Sequence, residues 1–276
     1  MTTTTTTTRT HGTATTTGTD HLTPPEGAGA DRRAARIAGA LYLVTFVASI
    51  PALPLYHDLL KDPRYLLTGG SDTGVLVGAF LEIICALAGI FTAVVLYRVV
   101  QRHDRTRALG FIASRTIEGA MIAVGVVCVL GVTTLHHDAQ GASATGGTAL
   151  LGAARGLVAV HDWTFLVGPG VLPAINALCL ATVLYRTRLV PRIIPAIGLV
   201  GAPLLLISST GTLFGGWDQV SGPAFLLALP IATWEFSLGV WLVVKGFRTP
   251  ALPTTAPVVD ADGDPEPEPV LVPVPA

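Results

Sequence analysis

The chain has few charged residues. Of its 276 residues, 13% are Asp, Glu, Lys or Arg, whereas soluble domains carry about 25%. Hydrophobic residues make up 50% and gather in runs of about 20 residues, the length that crosses a bilayer as a helix. The shortage of charge therefore excludes an ordinary soluble domain and predicts an integral membrane protein in a lipid bilayer.

Cysteine is also scarce, and neither sign of charge prevails. The three cysteines lie inside apolar runs and form no C-x-x-C pair, which argues against disulfide frameworks and zinc sites. The net charge of −1 attracts no nucleic acid. The motifs G-x-x-x-x-G-K-[ST], G-x-S-x-G, H-E-x-x-H and G-x-G-x-x-G do not occur. We therefore expect no cofactor, no metal and no nucleic-acid partner.

The two tails differ in composition from the middle of the chain. Residues 1–32 are rich in threonine, and residues 249–276 are rich in proline and acidic side chains, so we expect both tails to be disordered. Residues 33–248 contain six apolar runs, which predict an all-α bundle of six transmembrane helices. The predicted spans are 37–55, 75–97, 109–135, 163–184, 193–213 and 224–244.

Arginine and lysine concentrate in alternate loops. The N-terminal side, the loops after spans two and four, and the end of span six carry twelve of these residues, whereas the opposite side carries three. Cytoplasmic loops of membrane proteins are the positive ones. The distribution therefore predicts a multi-pass protein of the plasma membrane with both termini in the cytoplasm.

Three polar side chains on three different helices are predicted at a similar depth in the bilayer. Glu118 and Glu235 lie about 14 Å from the cytoplasmic ends of their spans, and Asn176 lies about 12 Å from its own. Arg115 is three residues before Glu118, so the two share a helix face and can pair. We predict a buried cluster of these four residues, which either clamps helices together or lines a path for a substrate or proton.

Span four contains a backbone irregularity. Gly168, Pro169 and Gly170 follow one another, and proline removes an amide donor and clashes with the preceding turn of a helix. A broken helix at this depth often marks a ligand site, and a plain kink is the alternative.

Imidazole and carboxylate groups recur on the outer side. Glu82, His136, His137, His161 and Asp162 form a second candidate site there. Such groups suit Zn²⁺ binding or general-base catalysis, but their spacing matches no known hydrolase motif. We therefore assign them no metal.

Three segments together resemble a known family: LYRVVQRHDRTRALGFIASRTIEGAMIA, LYRTRLVPRIIPAIGLVGAPLLL and LPIATWEFSLGVWLVVKGF. The chain from Arg33 to Arg248 resembles bacterial six-span membrane proteins of domain-of-unknown-function family 4386. The matching positions are Arg115, Glu118, Tyr185, Arg186, Pro191, Arg192, Glu235, Lys245 and Gly246. The resemblance implies location and fold but brings no catalytic assignment.

Three functions remain open at this point. We favour a non-enzymatic membrane protein, either a small carrier of a small molecule or ion or an accessory subunit, with the polar cluster as its site. The alternatives are an intramembrane enzyme that uses the outer histidines and aspartates, and a structural or stress-related membrane component. The oligomeric state is left open.

Overall fold

The computed structural model describes residues 28–62, 65, 71–140 and 144–248, and the described residues form helices without a strand. The helices are α1 (Ala28–Leu55), α2 (His57–Lys61), α3 (Thr73–Val100), α4 (Arg105–Ala139), α5 (Ala144–Phe165), a π-helix (Leu166–Val171), α6 (Leu172–Thr187), α7 (Ile193–Leu213) and α8 (Gly222–Val244). We predict disordered tails at residues 1–32 and 249–276. Residues 1–27 and 249–276 lie outside the described residues, whereas residues 28–32 are helical and begin α1.

Six helical segments are long and apolar enough to cross a membrane. Five are α1, α3, α4, α7 and α8, and the sixth runs without interruption through α5, the π-helix and α6. The predicted all-α, six-helix membrane bundle is thus confirmed for the described residues, and the protein is a multi-pass membrane protein.

The helix that contains span four is much longer than the predicted 163–184. It comprises 42 residues, Gly146–Thr187, or about 63 Å at the helical rise, against about 30 Å of hydrocarbon. The additional part, α5, contains many alanine and leucine residues, which favour helix formation. Its glycines and the polar residues before it led the sequence interpretation to place a loop there.

The six segments form a closed ring. Each packs against the next in the order α3, α1, α8, α7, α6 and α4, and α4 returns to α3. We call the end of the ring that holds the α3–α4 and α6–α7 turns the basic end, because its loops carry the arginines. The opposite end, where α1 and α4 finish, is the histidine end.

A dense hydrophobic core fills the ring toward the basic end. Tyr42, Phe111, Leu180, Trp234 and Leu238 belong to it, and none is more than 1% exposed. Helices α1 and α8 touch closely here, since a Cβ atom on Gly39 would lie 2.6 Å from the carbonyl oxygen of Gly239. A smaller core joins α2 to α3, α4 and α5 at the histidine end.

Candidate functional site

A cavity of about 280 Å³ lies inside the ring, next to the dense core and on its histidine-end side. Residues of α1, α3, α4, the π-helix, α6, α7 and α8 contribute to its wall. Most of the lining side chains are apolar, among them Phe46, Ile122 and Phe165. Four charged side chains also line it: Glu82, Arg115, Glu118 and Glu235. The cavity is therefore an apolar chamber with a few charged groups on its wall.

Arg115 is the centre of a hydrogen-bonded network. Its Nη1 donates to Glu118 Oε2 at 3.1 Å, and its Nη2 donates to Glu235 Oε1. Asn176 Nδ2 donates to the same Glu118 oxygen at 2.6 Å, and Ser114 Oγ donates to Asn176 Oδ1. The network thus ties α4 to α6 and to α8.

The network is buried. Arg115 is 5% exposed and Glu118 is 8% exposed. Isolated charges there would be very unfavourable, so the pairing of one guanidinium with two carboxylates is what makes them tolerable. The guanidinium also lies over the ring of Tyr42, with 5.4 Å from Cζ to the ring centroid, which adds a cation–π attraction.

One donor of the network has no partner. The Nε–H of Arg115 is buried and finds no acceptor in the part of the chain that the structure describes. Buried polar groups are nearly always hydrogen-bonded, and a partly satisfied network is less stable than a complete one.

The structure brings together all four residues of the predicted cluster, Arg115, Glu118, Asn176 and Glu235. Sequence interpretation missed Ser114, which orients Asn176, and Tyr42, which underlies the guanidinium. Ser114 could have been found, since a polar residue directly before Arg115 in an apolar helix is unusual. Tyr42 gave no such signal, because aromatic residues are common in apolar helices.

Glu82 lies on the α3 wall of the same cavity, not on a separate outer surface. Tyr56 Oη donates to Glu82 Oε2 at 3.4 Å, which is a long hydrogen bond. Glu82 also lines a small void together with His161, whose side chain is buried. The acid is therefore close to the histidine end but faces the central chamber.

The predicted break in span four is a π-helix. The chain stays helical from Leu166 to Val171, with Pro169 inside, and Pro169 lines the cavity. Gly168 permits close packing, since a Cβ atom there would lie 2.7 Å from Met121 Cβ in α4. Ser209 of α7 donates its hydroxyl to the Gly170 carbonyl at 2.6 Å. Helix α7 thus supplies a hydrogen-bond donor at the point where the wider turn of the π-helix alters the backbone hydrogen bonds.

The histidines fall into two separate groups. His136 Nδ1 and His137 Nε2 lie 3.0 Å and 3.1 Å from oxygens of Asp72, and Tyr65 Oη donates to the same carboxylate. Burial, and then the contact with Asp72, raises the pKa of Tyr65. Asp72 and Tyr65 were not predicted, because both precede α3 in a polar connection.

His161 forms the second group. Its Nδ1 lies 3.2 Å from Asp162 Oδ1, its ring stacks on Phe165, and Tyr56 meets it edge-on. The structure therefore does not gather Glu82, His136, His137, His161 and Asp162 into one site. Within the described ranges, no group of three or more His, Cys, Asp or Glu side chains is arranged to hold a metal ion.

A second cavity of about 230 Å³ adjoins the first. Leu53, Phe165, Pro169, Leu205 and Ala228 line both. The second cavity extends toward the histidine end, where Gln219, Val220 and Ser221 of the α7–α8 loop contribute to its wall. The two cavities therefore share a wall, and the second lies on the histidine-end side of the first.

Residues 37–246 match the family described as Domain of unknown function (DUF4386). The chain belongs to the DUF4386 family. The match covers five of the six membrane-type helices in full and most of the first, and with them every residue of the Arg115 network. No curated protein matches this DUF4386 chain, and no solved structure matches it.

Proposed function

We propose that this DUF4386 protein is a small carrier of the plasma membrane that binds its cargo in the central cavity. One observation carries the proposal: the buried network of Arg115, Glu118 and Glu235 forms part of the wall of a chamber. A clamp that only held helices together would need no chamber beside it. Intramembrane charges on a cavity wall are typical of substrate and ion pathways.

The position of the cavity supports a carrier. The dense core closes the basic end, whereas the second cavity leads toward the histidine end. The π-helix and its Pro169 lie on the wall between the two cavities. Such irregular helices at membrane depth are common in carriers, where halves of the bundle move around a fixed site. In this proposal the structure represents the state that is open at the histidine end.

The orientation proposed here follows from the arginine-rich loops. Both termini lie in the cytoplasm, and the cavity opens away from it. A reporter enzyme that is active only outside the cytoplasm, fused at Gln101 in the α3–α4 turn, should be inactive. Activity of that fusion would overturn the orientation.

The carrier is tested by access to Cys85, whose thiol lines the cavity. In a Cys128→Ala, Cys179→Ala background, a membrane-impermeant methanethiosulfonate is added to right-side-out or to inverted vesicles. We expect the reagent to label Cys85 rapidly when it is added on the histidine-end side. When it is added on the basic-end side, labelling should be slower, because it requires the carrier to open at that end. The matched control retains only Cys128, which is buried in α4 and should stay unreactive.

Two results would contradict the proposal. If Cys85 reacts from neither side even at alkaline pH, where more of the thiol is ionised, the chamber is closed and binds nothing from solution. If Cys85 reacts from the histidine-end side but never from the other, the protein binds a ligand without carrying it across.

A further inference from the structure

The charges on the cavity wall do not balance. Three carboxylates, Glu82, Glu118 and Glu235, face one guanidinium, that of Arg115. Arg115 forms ion pairs with both Glu118 and Glu235. Among the described residues, Glu82 has no ion pair with lysine, arginine or histidine. Glu82 is therefore the acid on this wall without an ion pair, and the side chain of His161 lines a small void beside it.

The contact of Glu82 with protein is weak. Its hydrogen-bond donor is Tyr56 Oη at 3.4 Å, which is beyond the usual range for hydroxyl donors. An ionised carboxylate in an apolar chamber is unfavourable unless a positive charge pairs with it. A ligand that brought such a charge to Glu82 would stabilise the ionised carboxylate in place of its protonated form.

The rest of the chamber favours an apolar ligand with an aromatic part. Phe46 and Phe165 line it, and aromatic rings attract cations as well as apolar groups. The volume of about 280 Å³ suits a molecule that contains one ring and a short substituent. The adjoining cavity gives such a molecule a route from the histidine end.

We propose that the chamber binds a small hydrophobic ammonium ion, with Glu82 as its counter-ion. This inference rests on the proposed carrier function and names its cargo class. The apolar part of the cation lies against Phe46 and Phe165, and the nitrogen faces Glu82. The Arg115 network, in which one guanidinium pairs with both Glu118 and Glu235, forms the far wall.

Trimethylphenylammonium and tert-butylbenzene test the inference, because they have the same shape and differ in charge. Each is measured by its protection of Cys85 against the methanethiosulfonate, in the full chain with Cys128→Ala and Cys179→Ala. We expect the cation to protect at a concentration at least about tenfold lower than the hydrocarbon does. Glu82→Gln should remove this difference, and Glu82→Asp, which keeps the charge, should retain most of it.

Asp31→Asn serves as the control, since Asp31 pairs with Arg102 at the basic end, far along α1 from the chamber. In this variant the two probes should protect Cys85 at the same concentrations as in the parent. If both probes protect equally in the parent and in Glu82→Gln, the cation inference is wrong while the binding chamber stands. If neither protects a Cys85 that does react, the cargo class is wrong. If Cys85 does not react at all, at neutral or at alkaline pH, the proposed carrier function itself fails.

Discussion

The two halves of the ring differ in how the helices fill its centre. Toward the basic end, Tyr42, Trp234 and Leu238 fill it, and the glycine contact holds α1 against α8. Toward the histidine end, Leu53 of α1 and Ala228 of α8 border cavities instead. The charged network lies where the packed half gives way to the open one. Its charges therefore have protein partners on one side and a chamber on the other.

Removal of Arg115 should have the largest effect on this boundary. Arg115→Met leaves Glu118 and Glu235 buried without a positive partner, and breaking a buried ion pair in this way destabilises a protein by about 3–5 kcal/mol. We expect a large drop in the thermal unfolding temperature of the detergent-solubilised protein, or loss of expression.

The control for this prediction is the triple variant Arg115→Met, Glu118→Gln, Glu235→Gln. It removes the charges together, so much of the stability should return. If the single and the triple variants are equally unstable, the charges do not account for the loss and the packed half depends on the shape of Arg115 alone.

The variant Gly39→Ala tests how much the packed half of the ring depends on the close contact between α1 and α8. Gly39→Ala places a Cβ atom 2.6 Å from the Gly239 carbonyl oxygen, so α1 and α8 must separate. Overpacking of this kind destabilises by about 1–3 kcal/mol. The unfolding temperature should fall, and Cys85 should become reactive from the basic-end side.

The matched change is Gly156→Ala in α5, where a new Cβ atom meets nothing within 4 Å. It should leave the unfolding temperature unchanged or raise it slightly, because alanine favours a helix over glycine by about 1 kcal/mol. Equal losses in both variants would show that the α1–α8 contact has no special importance.

The network could be predicted from the sequence because its geometry is local and regular. Arg115 and Glu118 are three residues apart on one helix, and the constant helical rise gives the depths of Asn176 and Glu235. A residue count in an apolar span therefore gives nearly the right level for each polar group. That is enough to bring side chains of three helices into contact.

The rest of the site could not be predicted, because it depends on loops and on empty space. Asp72 precedes α3 and contacts His136, which is 64 positions away in the sequence. Depths counted along a helix cannot predict a contact with a residue in a loop. The chamber depends on where side chains fail to meet, which only packing reveals. Likewise, Ser209 is one of several hydroxyl residues in α7 until the π-helix places the Gly170 carbonyl beside it.

Alkaline pH should weaken the contact of Tyr65 with Asp72 at the histidine end. The raised pKa of Tyr65 means that the folded protein holds the phenol proton more tightly than the unfolded chain, in which the pKa is about 10. The resulting stabilisation is complete below about pH 10 and is lost as the pH rises through the folded-state pKa.

Tyr65→Phe should lose about 1 kcal/mol of stability at neutral pH, and its stability should decline less steeply above pH 10. The measurement is thermal unfolding from pH 7 to pH 11. An unchanged alkaline slope in Tyr65→Phe would contradict this assignment.

Acid should act at the opposite end, with the smallest effect. Asp104 begins α4 and accepts the backbone N–H of Arg107 at 2.9 Å, and the Arg107 guanidinium donates to it as well. These contacts lower the pKa of Asp104. Its stabilisation is therefore present above about pH 4, the pKa of aspartate in the unfolded chain, and is lost as the pH falls through the folded-state pKa.

Asp104→Asn keeps the helix cap without a titrating group, so its stability should decline less steeply in acid. Asp104→Ala should lose stability at pH 7 too. If Asp104→Asn declines in acid as steeply as the parent, the acid sensitivity lies elsewhere, and the two ends of the ring no longer differ in the direction of their pH response.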